Sequence, residues 1–500
     1  MGILELLKKS YVRLTAEGST TQKAVQSGLW MVGINMSDRL LQMVKLVILA
    51  SVLSPEAFGL LGIALLSLAA LRRILQLGFD QALIQNKRTD IDDYLNTAWI
   101  LKILRGLVIA FLAYASAPYL AALFNEPKAE SLIRIIGLSP VILSIQNPAV
   151  VYFQKNLNFE KEFIYQVGGK LVDLVVATVI AFIYQNVWAL VYGLIAGNLA
   201  KVFLSYAVHQ YRPRISFNRA HAREMIGFGK WLMVSGILVF VYGQGDDAFV
   251  GWFFGATALG FYQLAYRFSN APATEVTHVI SRVAFPAFSK LQEDVERLRE
   301  GYFRTVQLST LIGFPMATGI IIVAPEFVRV FFGVKWLQMV PLMQVLGIWG
   351  ALRALGANVG AVFKSVGRPD IETKLQVIRV LLSVVLLIPL SNRFGVVGVA
   401  YTIIVTTVFI QPLTVRFVLN IIDGSAIRLI RLILFPLSAS IVMGGLLVVV
   451  KDLANFASDI VLLTLLVGLG AIFYIFIIFV FASITDYDAV SLARNIAGSI

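Results

Sequence analysis

Residues 25–50, VQSGLWMVGINMSDRLLQMVKLVILA, are long and apolar enough to span a bilayer, yet charges lie in the middle of the span. On a helical wheel, five polar side chains fall within about 120° of one another. This stripe consists of Asn35, Asp38, Arg39, Gln42 and Lys45. A charge in hydrocarbon is costly, so such a stripe normally faces a bundle interior or a water-filled cavity. The stretch therefore predicts a polytopic membrane protein with a hydrated, charged interior, which favours transport of a polar substance.

The composition of the 500-residue chain excludes a soluble globular protein. Hydrophobic residues make up 58% of the chain and charged residues 14%, with a mean hydropathy of +0.81. About fourteen stretches are long enough to span a bilayer, so we predict an all-α polytopic membrane protein with about 14 transmembrane helices. Cysteine is absent, the three histidines are scattered, and no Gly-x4-Gly-Lys-Ser/Thr motif occurs. We therefore predict no disulfide, no metal site, no cofactor and no ATP hydrolysis.

The net charge of +13 is explained by membrane topology and by cations inside the spans, and nucleic acid is not an expected partner. If the N-terminus lies in the cytoplasm, basic clusters such as Lys87–Arg88 and Arg297–Arg299 fall in cytoplasmic loops. The outer loops are left with Lys128, Arg329, Lys335, Arg393 and Lys451. This positive-inside bias predicts a multi-pass protein of the plasma (inner) membrane with both termini in the cytoplasm.

The chain repeats itself at an offset of 201 residues. The stretch from Trp30 to Leu60 aligns without a gap with the stretch from Trp231 to Phe261, and Gly59 falls on Gly260. An even number of spans preserves orientation, so a duplication of six spans predicts two parallel six-helix lobes followed by a C-terminal helical hairpin. The predicted parts are a cytoplasmic amphipathic lead-in (1–24), an N-lobe (25–208), a cytoplasmic linker (209–225), a C-lobe (226–420), the hairpin (421–485) and a cytoplasmic tail (486–500).

Cations at membrane depth are the candidate substrate-binding residues, because guanidinium and ammonium groups bind phosphate. The cationic lumen is predicted from Arg39, Lys45, Lys102, Arg105, Arg267, Arg282 and Arg353. Four aromatic residues near it are candidates for stacking on a substrate, and ordinary packing or an interface belt is the alternative for each: Trp30, Tyr242, Tyr262 and Tyr266. The alternative for each cation is a stem that extends to the headgroups, an interpretation that the sequence favours for Lys201.

Acidic residues at depth, Asp173 among them, are fewer than the basic residues at depth, which include Lys170, and two roles remain open for the acids. They either act as counter-ions of the lumen cations or carry a coupling ion or proton. The ion-coupling or gating candidates are Asp38, Asp80, Asp246, Asp247 and Glu275. Lys45 and Asp246 occupy matching places in the two repeats, so an ion pair between them is one hypothesis.

Four segments resemble motifs of the oligosaccharide flippase (Wzx-like polysaccharide transporter) family, a branch of the multidrug/oligosaccharidyl-lipid/polysaccharide exporter superfamily. Residues 53–60, LSPEAFGL, are similar to its L-x-P-x-x-F-G turn, and residues 76–85, QLGFDQALIQ, to its D-L-G-L-G-x-A-L-I-Q segment. Residues 258–267, ALGFYQLAYR, and 281–292, SRVAFPAFSKLQ, resemble two further motifs. Asp80 departs from the pattern, because it replaces the last glycine of the second motif.

The resemblance implies a flippase that moves a polyprenyl-pyrophosphate-linked oligosaccharide from the cytoplasmic to the outer leaflet by alternating access. The implied partners are that glycan lipid and the bilayer, together with polysaccharide polymerase and glycosyltransferases, and the expected state is a monomer. One alternative is a drug/cation antiporter of the same superfamily, and another is a lipid II flippase. A membrane glycosyl ligase or polymerase is the alternative from a different class. It would need large outer loops with catalytic groups, whereas the predicted outer loops are short.

Overall fold

The computed structural model consists of helices joined by short connections. It describes the backbone of residues 20–75, 83, 92–156, 158–356, 358–454 and 458–484, apart from the side chains of 20–27, 93, 224, 226–239, 271–283, 482 and 484. The helices of the first half are α1 (Thr20–Val52), α2 (Pro55–Ile74), α3 (Asp92–Leu123), α4 (Lys128–Ile136), α5 (Ser139–Ser144), α6 (Val151–Lys155), α7 (Phe159–Tyr184), α8 (Trp188–Val208) and α9 (Arg219–Lys290). Those of the second half are α10 (Val295–Phe331), α11 (Val340–Gly356), α12 (Val359–Ser365), α13 (Pro369–Phe394), α14 (Val396–Ile421), α15 (Ala426–Leu453) and α16 (Asp459–Ile484). Two 3₁₀ turns, Pro148–Val150 and Val334–Met339, complete the described elements.

The predicted all-α membrane fold is confirmed, but the number of spans is not. Within the described residues, 11 helices are long and apolar enough to cross a bilayer, or up to 12 if one bent pair counts as a single span. That pair, Lys128–Ser144 and Pro148–Lys155, is bent by 73°. Helix α1 is outside this count, since Asp38, Arg39 and Lys45 interrupt its apolar sequence. The chain is a multi-pass membrane protein, and fourteen spans remain a prediction.

The chain divides into two compact units, Met1–Gly260 and Phe261–Ile500, which we call unit 1 and unit 2. The division falls inside α9, so unit 1 ends partway along that helix. In unit 1, α7 packs against both α1 and α8, and α3 packs against α4 and α5. In unit 2, α10 packs against α11, α15 and α16. The lobe and linker boundaries given by the sequence remain predictions.

Both repeats change chain direction at the same place. Ser54 caps α2 in extended conformation, and its Oγ accepts a hydrogen bond from the amide of Ala57. One repeat later, α9 breaks at Gly255, whose φ of 80° lies in the region that glycine adopts without strain. Glu126 Oε1 accepts a 2.8 Å hydrogen bond from the amide of Ala256. A capped corner therefore recurs at the repeat offset.

Two glycines allow α2 to cross α9 at backbone contact distance just after these corners. A Cβ atom on Gly59 would collide with the carbonyl group of Ala256, and a Cβ atom on Gly260 would collide with the carbonyl of Pro55. All four residues belong to unit 1. Because Gly59 and Gly260 are matching positions of the repeat, each copy supplies the small residue that the other requires.

The C-terminal hairpin is held to α10 by apolar packing and by one buried carboxylate. Met443 and Leu447 of α15 pack with Leu462 and Leu466 of α16 in a buried cluster. Glu326 of α10 is buried and lies 2.9 Å from Lys451 Nζ and 3.8 Å from Arg329 Nη1. Arg329 also pairs with Asp459 at 2.8 Å. These ion pairs fasten both helices of the hairpin to unit 2.

Candidate functional site

The charged stripe of α1 meets opposite charges on α7. Lys45 Nζ donates a 2.5 Å hydrogen bond to Asp173 Oδ1, and both side chains are only 16% exposed. Two turns before Lys45, Asp38 lies 3.2 Å from Lys170 Nζ and accepts a 2.6 Å hydrogen bond from Gln42. Residues 170 and 173 are three apart, so one face of α7 presents both partners. The charges at positions 38 and 45 of α1 therefore each have a counter-charge on α7.

Glycines on α7 and α8 bring a third lysine to this pairing. A Cβ atom on Gly169 would collide with the side chain of Lys201, and one on Gly197 would lie 2.7 Å from Asp173 Cβ. Since α7 and α8 approach so closely, Lys201 lies within electrostatic range of Asp38, Asp173 and Lys170. The structure thus places Lys201 beside the carboxylates, where the sequence alone favoured extension to the headgroups.

We call these five charged side chains, Asp38, Lys45, Lys170, Asp173 and Lys201, the α1–α7–α8 charge cluster. Three lysines and two aspartates leave it with a formal charge of +1. The sequence predicted Asp38 and Lys45 as site residues and indicated Lys170 and Asp173 as charges at membrane depth, but it did not predict that they pair. The sequence contained an indication of the pairing. Two charges three residues apart in another span share one helical face, and charges in a membrane span require charged partners at the same depth.

A second group of cations lies on α2 and α3 of unit 1. Arg72, in the last turn of α2, is half-buried and close enough to Arg105 of α3 for the two guanidinium groups to repel each other. Lys102 is also half-buried and lies three residues before Arg105 on the same helical face. Like charges gathered at partial burial favour an anion near them, since an anion offsets their repulsion.

In unit 2, Arg353 of α11 is held by an amide and an aromatic ring. Its Nη1 donates a 3.1 Å hydrogen bond to Asn270 Oδ1, and its Cζ lies 5.3 Å from the centre of the Trp349 ring. Trp349 in turn packs against Tyr266 at 5.4 Å. Arg267 is exposed and lies three residues before Asn270 on α9. Among the side chains that the structure describes, no carboxylate pairs with Arg353.

This group, which we call the Arg353 cluster, joins a half-buried guanidinium to two aromatic rings. Asn270 and Trp349 fix the orientation of the guanidinium without neutralising its charge. Its remaining N–H groups have the planar geometry that binds two oxygens of a phosphate at once. Tyr266, one of the predicted stacking residues, contributes to the same group.

The remaining predicted site residues are not brought together by the described contacts. Arg39 is half-buried on α1, and Asp246 and Asp247 are half-buried on the unit 1 part of α9; all three engage in interactions. Asp80 and the side chains of Glu275 and Arg282 lie outside the described residues. The ion pair between Lys45 and Asp246 stays a hypothesis, and so does the assignment of lumen cations and coupling acids.

Polar contacts with Asn147 and Asn96 anchor the segment between α8 and α9. Asn147 donates a 2.9 Å hydrogen bond to the carbonyl of Tyr211, whose hydroxyl donates to Asn96 Oδ1 at 3.0 Å. His209 Nδ1 accepts a hydrogen bond from the amide of Tyr211 at 3.1 Å. Burial, together with the nearby Lys161 ammonium, lowers the pKa of His209, so its neutral form is favoured. Burial also raises the pKa of the Tyr211 hydroxyl.

The fold is similar to that of a known transporter. The structure of lipid II flippase MurJ in an inward closed conformation aligns with a TM-score of 0.74 and 15% identity, covering 91% of this chain and 98% of that one. At this identity the likeness concerns the fold alone.

Sequence comparison identifies relatives among polysaccharide proteins. Lipopolysaccharide biosynthesis protein WzxC of Escherichia coli (strain K12) is 24% identical over 82% of this chain and 84% of its own length. Teichuronic acid biosynthesis protein TuaB of Bacillus subtilis (strain 168) is 29% identical over 60% of this chain and 62% of its own length. Residues 48–341, more than half of the chain, match the family described as "Polysaccharide biosynthesis protein". The chain therefore belongs to the polysaccharide biosynthesis protein family.

Proposed function

We propose that this protein is a flippase that carries a polyprenyl-pyrophosphate-linked oligosaccharide from the cytoplasmic to the outer leaflet of the inner membrane, with both termini in the cytoplasm. The family match, the names of the relatives and the fold shared with a lipid II flippase support this proposal. A pyrophosphate does not cross hydrocarbon without compensating charge, and cations at membrane depth supply that charge.

The surroundings of Arg353 are the observation that carries the proposal. It is half-buried in a membrane span, and the described side chains give it an amide and a ring as partners in place of a carboxylate. An arginine whose described neighbours include no counter-ion is costly in a membrane span unless an anion visits it. We assign it to the pyrophosphate, with Tyr266 and Trp349 placed to stack on the attached sugars.

The α1–α7–α8 charge cluster supports a second part of the proposal, which concerns coupling. Alternating access requires contacts that exist in one state and break in the other. Lys45–Asp173 and Lys170–Asp38 are pairs of this kind, because protonation or a bound cation at either aspartate would release its lysine. We place the coupling ion at Asp38 and Asp173, and Asp246 and Asp247 remain further candidates.

The charge balance disfavours the drug/cation antiporter as the second candidate. The described clusters carry more cations than acids, which repels the cationic substrates of such an antiporter. We expect the monomer to act beside the polymerase and the glycosyltransferases that use the same glycan lipid, and we expect no chemical change to the substrate during transport.

The test is a flipping assay in proteoliposomes with a fluorescent polyprenyl-pyrophosphate oligosaccharide. Arg353→Ala should reduce the flipping rate about 10- to 100-fold, which is the value of a charge-assisted contact, whereas Arg353→Lys should retain part of it. Arg368→Ala is the matched control, because Arg368 is exposed, precedes the span Pro369–Phe394 and pairs with Asp370 in the first turn of that helix. Wild-type rates no higher than those of empty liposomes, or equal losses for Arg353→Ala and Arg368→Ala, would overturn the proposal. Uptake of a cationic dye in place of the glycan lipid would favour the antiporter.

A further inference from the structure

A groove runs along the exposed face of α8 and has an arginine at one end. It has a volume of about 450 Å³ and is lined by Leu199, Val202, Phe203, Tyr206, Ala207 and Arg212. The spacing of three and four residues places the first five side chains on one face of the helix. We call this feature the α8 groove. All of its residues belong to unit 1.

The helical part of the α8 groove is suited to a lipid chain. Leu199 is 52% exposed and Phe203 74% exposed, although both lie in a membrane span. Apolar side chains that remain exposed on a span have acyl chains as their natural neighbours. The groove therefore offers an acyl chain a concave apolar surface, whereas the surface of a single helix is convex.

Arg212 is fixed at the end of this track. Its Nη1 donates hydrogen bonds to the carbonyls of His209 at 2.7 Å and Tyr211 at 2.9 Å, and its Cζ lies 5.6 Å from the centre of the Tyr206 ring. Tyr206 is held in turn, because its hydroxyl donates a 2.7 Å hydrogen bond to the carbonyl of Ile145. Within the described part of the chain, no carboxylate pairs with Arg212. Its position is thus set in advance, and its charge remains available to an anion.

The charge and the lining together identify the class of ligand. One guanidinium matches the single negative charge of a phosphodiester. Apart from Tyr206 and Arg212, the lining has no polar side chain that would bind a sugar. Arg212 also stands just beyond the end of α8, at the level where lipid headgroups meet a spanning helix.

We propose that the α8 groove binds one anionic phospholipid, with its phosphodiester on Arg212 and an acyl chain along Leu199 and Phe203. The site shares no residue with the Arg353 cluster and does not depend on the proposed transport. A bound lipid would also fasten the segment after α8, because the carbonyls that orient Arg212 belong to residues anchored through Asn147 and Asn96.

Binding is tested with the full-length protein in detergent, titrated with phosphatidylglycerol or phosphatidylcholine and read by native mass spectrometry. Phosphatidylglycerol should bind at least about tenfold more tightly, and Arg212→Ala should remove that preference. Arg214→Ala is the matched control, since Arg214 is exposed in the same segment and only its backbone amide contacts Asn96. Ala207→Trp fills the groove and should lower the affinity for both lipids.

The outcomes distinguish the possible occupants. Equal affinity for the two lipids, or equal losses in Arg212→Ala and Arg214→Ala, would overturn the proposal. Displacement of phosphatidylglycerol by a polyprenyl-pyrophosphate at equal concentration would do so too, since the groove would then hold the transported lipid. Displacement by millimolar inorganic phosphate would overturn it as well, because the site would then bind phosphate without an acyl chain. Unchanged thermal unfolding of the lipid-free variants shows that they are folded.

Discussion

The ion pair between Lys45 and Asp173 yields a prediction whose sign and size follow from the charge cluster. Breaking a buried pair by removing one partner costs about 3–5 kcal/mol. Here both side chains are 16% exposed and Lys201 remains within range of Asp173, so Lys45→Met should lower the free energy of unfolding by less, about 2 kcal/mol. Asp173→Asn should cost more, because it leaves three lysines with Asp38 alone and raises the cluster from +1 to +2.

The assay is unfolding by sodium dodecyl sulfate in mixed micelles, measured for both single variants and for the double variant. The double variant restores the formal charge of +1, so its loss should be about 1–3 kcal/mol smaller than the sum of the single losses. Lys374→Met is the control, since Lys374 pairs with Asp370 at 3.2 Å but is 74% exposed, and it should cost less than about 1 kcal/mol. Strictly additive losses, or a milder effect of Asp173→Asn than of Lys45→Met, would refute the reasoning.

Three further predictions concern packing, the hairpin and pH. Gly59→Ala should lower the yield and thermal stability of the folded protein, because the added Cβ collides with the Ala256 carbonyl, whereas Gly445→Ala should be neutral or stabilising because nothing lies within 4 Å of that position. Glu326→Gln should lower the free energy of unfolding by about 2–4 kcal/mol, since it leaves Lys451 half-buried without its carboxylate, and adding Lys451→Met should recover part of the loss. The thermal midpoint should fall as the pH drops below about 6.5, because the lowered pKa of His209 means that the unfolded chain takes up the proton first; His209→Gln should make that decline shallower.

A different result would contradict each of these three predictions. A Gly59→Ala protein as stable as Gly445→Ala would show that the helix crossing is not tight. A Glu326→Gln loss that Lys451→Met does not reduce would show that the two side chains act independently. An unchanged acid decline in His209→Gln would show that groups other than His209 cause it.

Periodicity explains which parts of the site were predictable from the sequence. The polar stripe of α1 follows from helical geometry alone, so Asp38 and Lys45 were found. Their pairing with Lys170 and Asp173 was not found, because which helix packs against α1 is set by tertiary contacts that one sequence does not reveal. The position of Lys201 depends on Gly169, whose missing side chain lets α8 approach α7.

The repeat made the corner at Gly255 predictable, since Ser54, in the turn that precedes α2, occupies the matching position. The range of α9 covers two helical stretches, because the break between them needs only one residue, Gly255, and leaves no polar loop. Arg353 was identified as a cation at depth, but its fixation by Asn270 and Trp349 requires two helices to meet.

Thiol labelling tests the central claim, a hydrated and positively charged path through the membrane, most directly. The chain has no cysteine, so Arg353→Cys, Lys102→Cys and the lipid-facing control Phe479→Cys each introduce a single thiol. The rates of an anionic and a cationic membrane-impermeant thiosulfonate are compared in liposomes after division by their rates with a free thiol. The account predicts labelling at positions 353 and 102 with the anionic reagent favoured, and none at 479, because a cationic cavity concentrates anions. Absent labelling at 353 and 102, or a preference for the cationic reagent there, would contradict it.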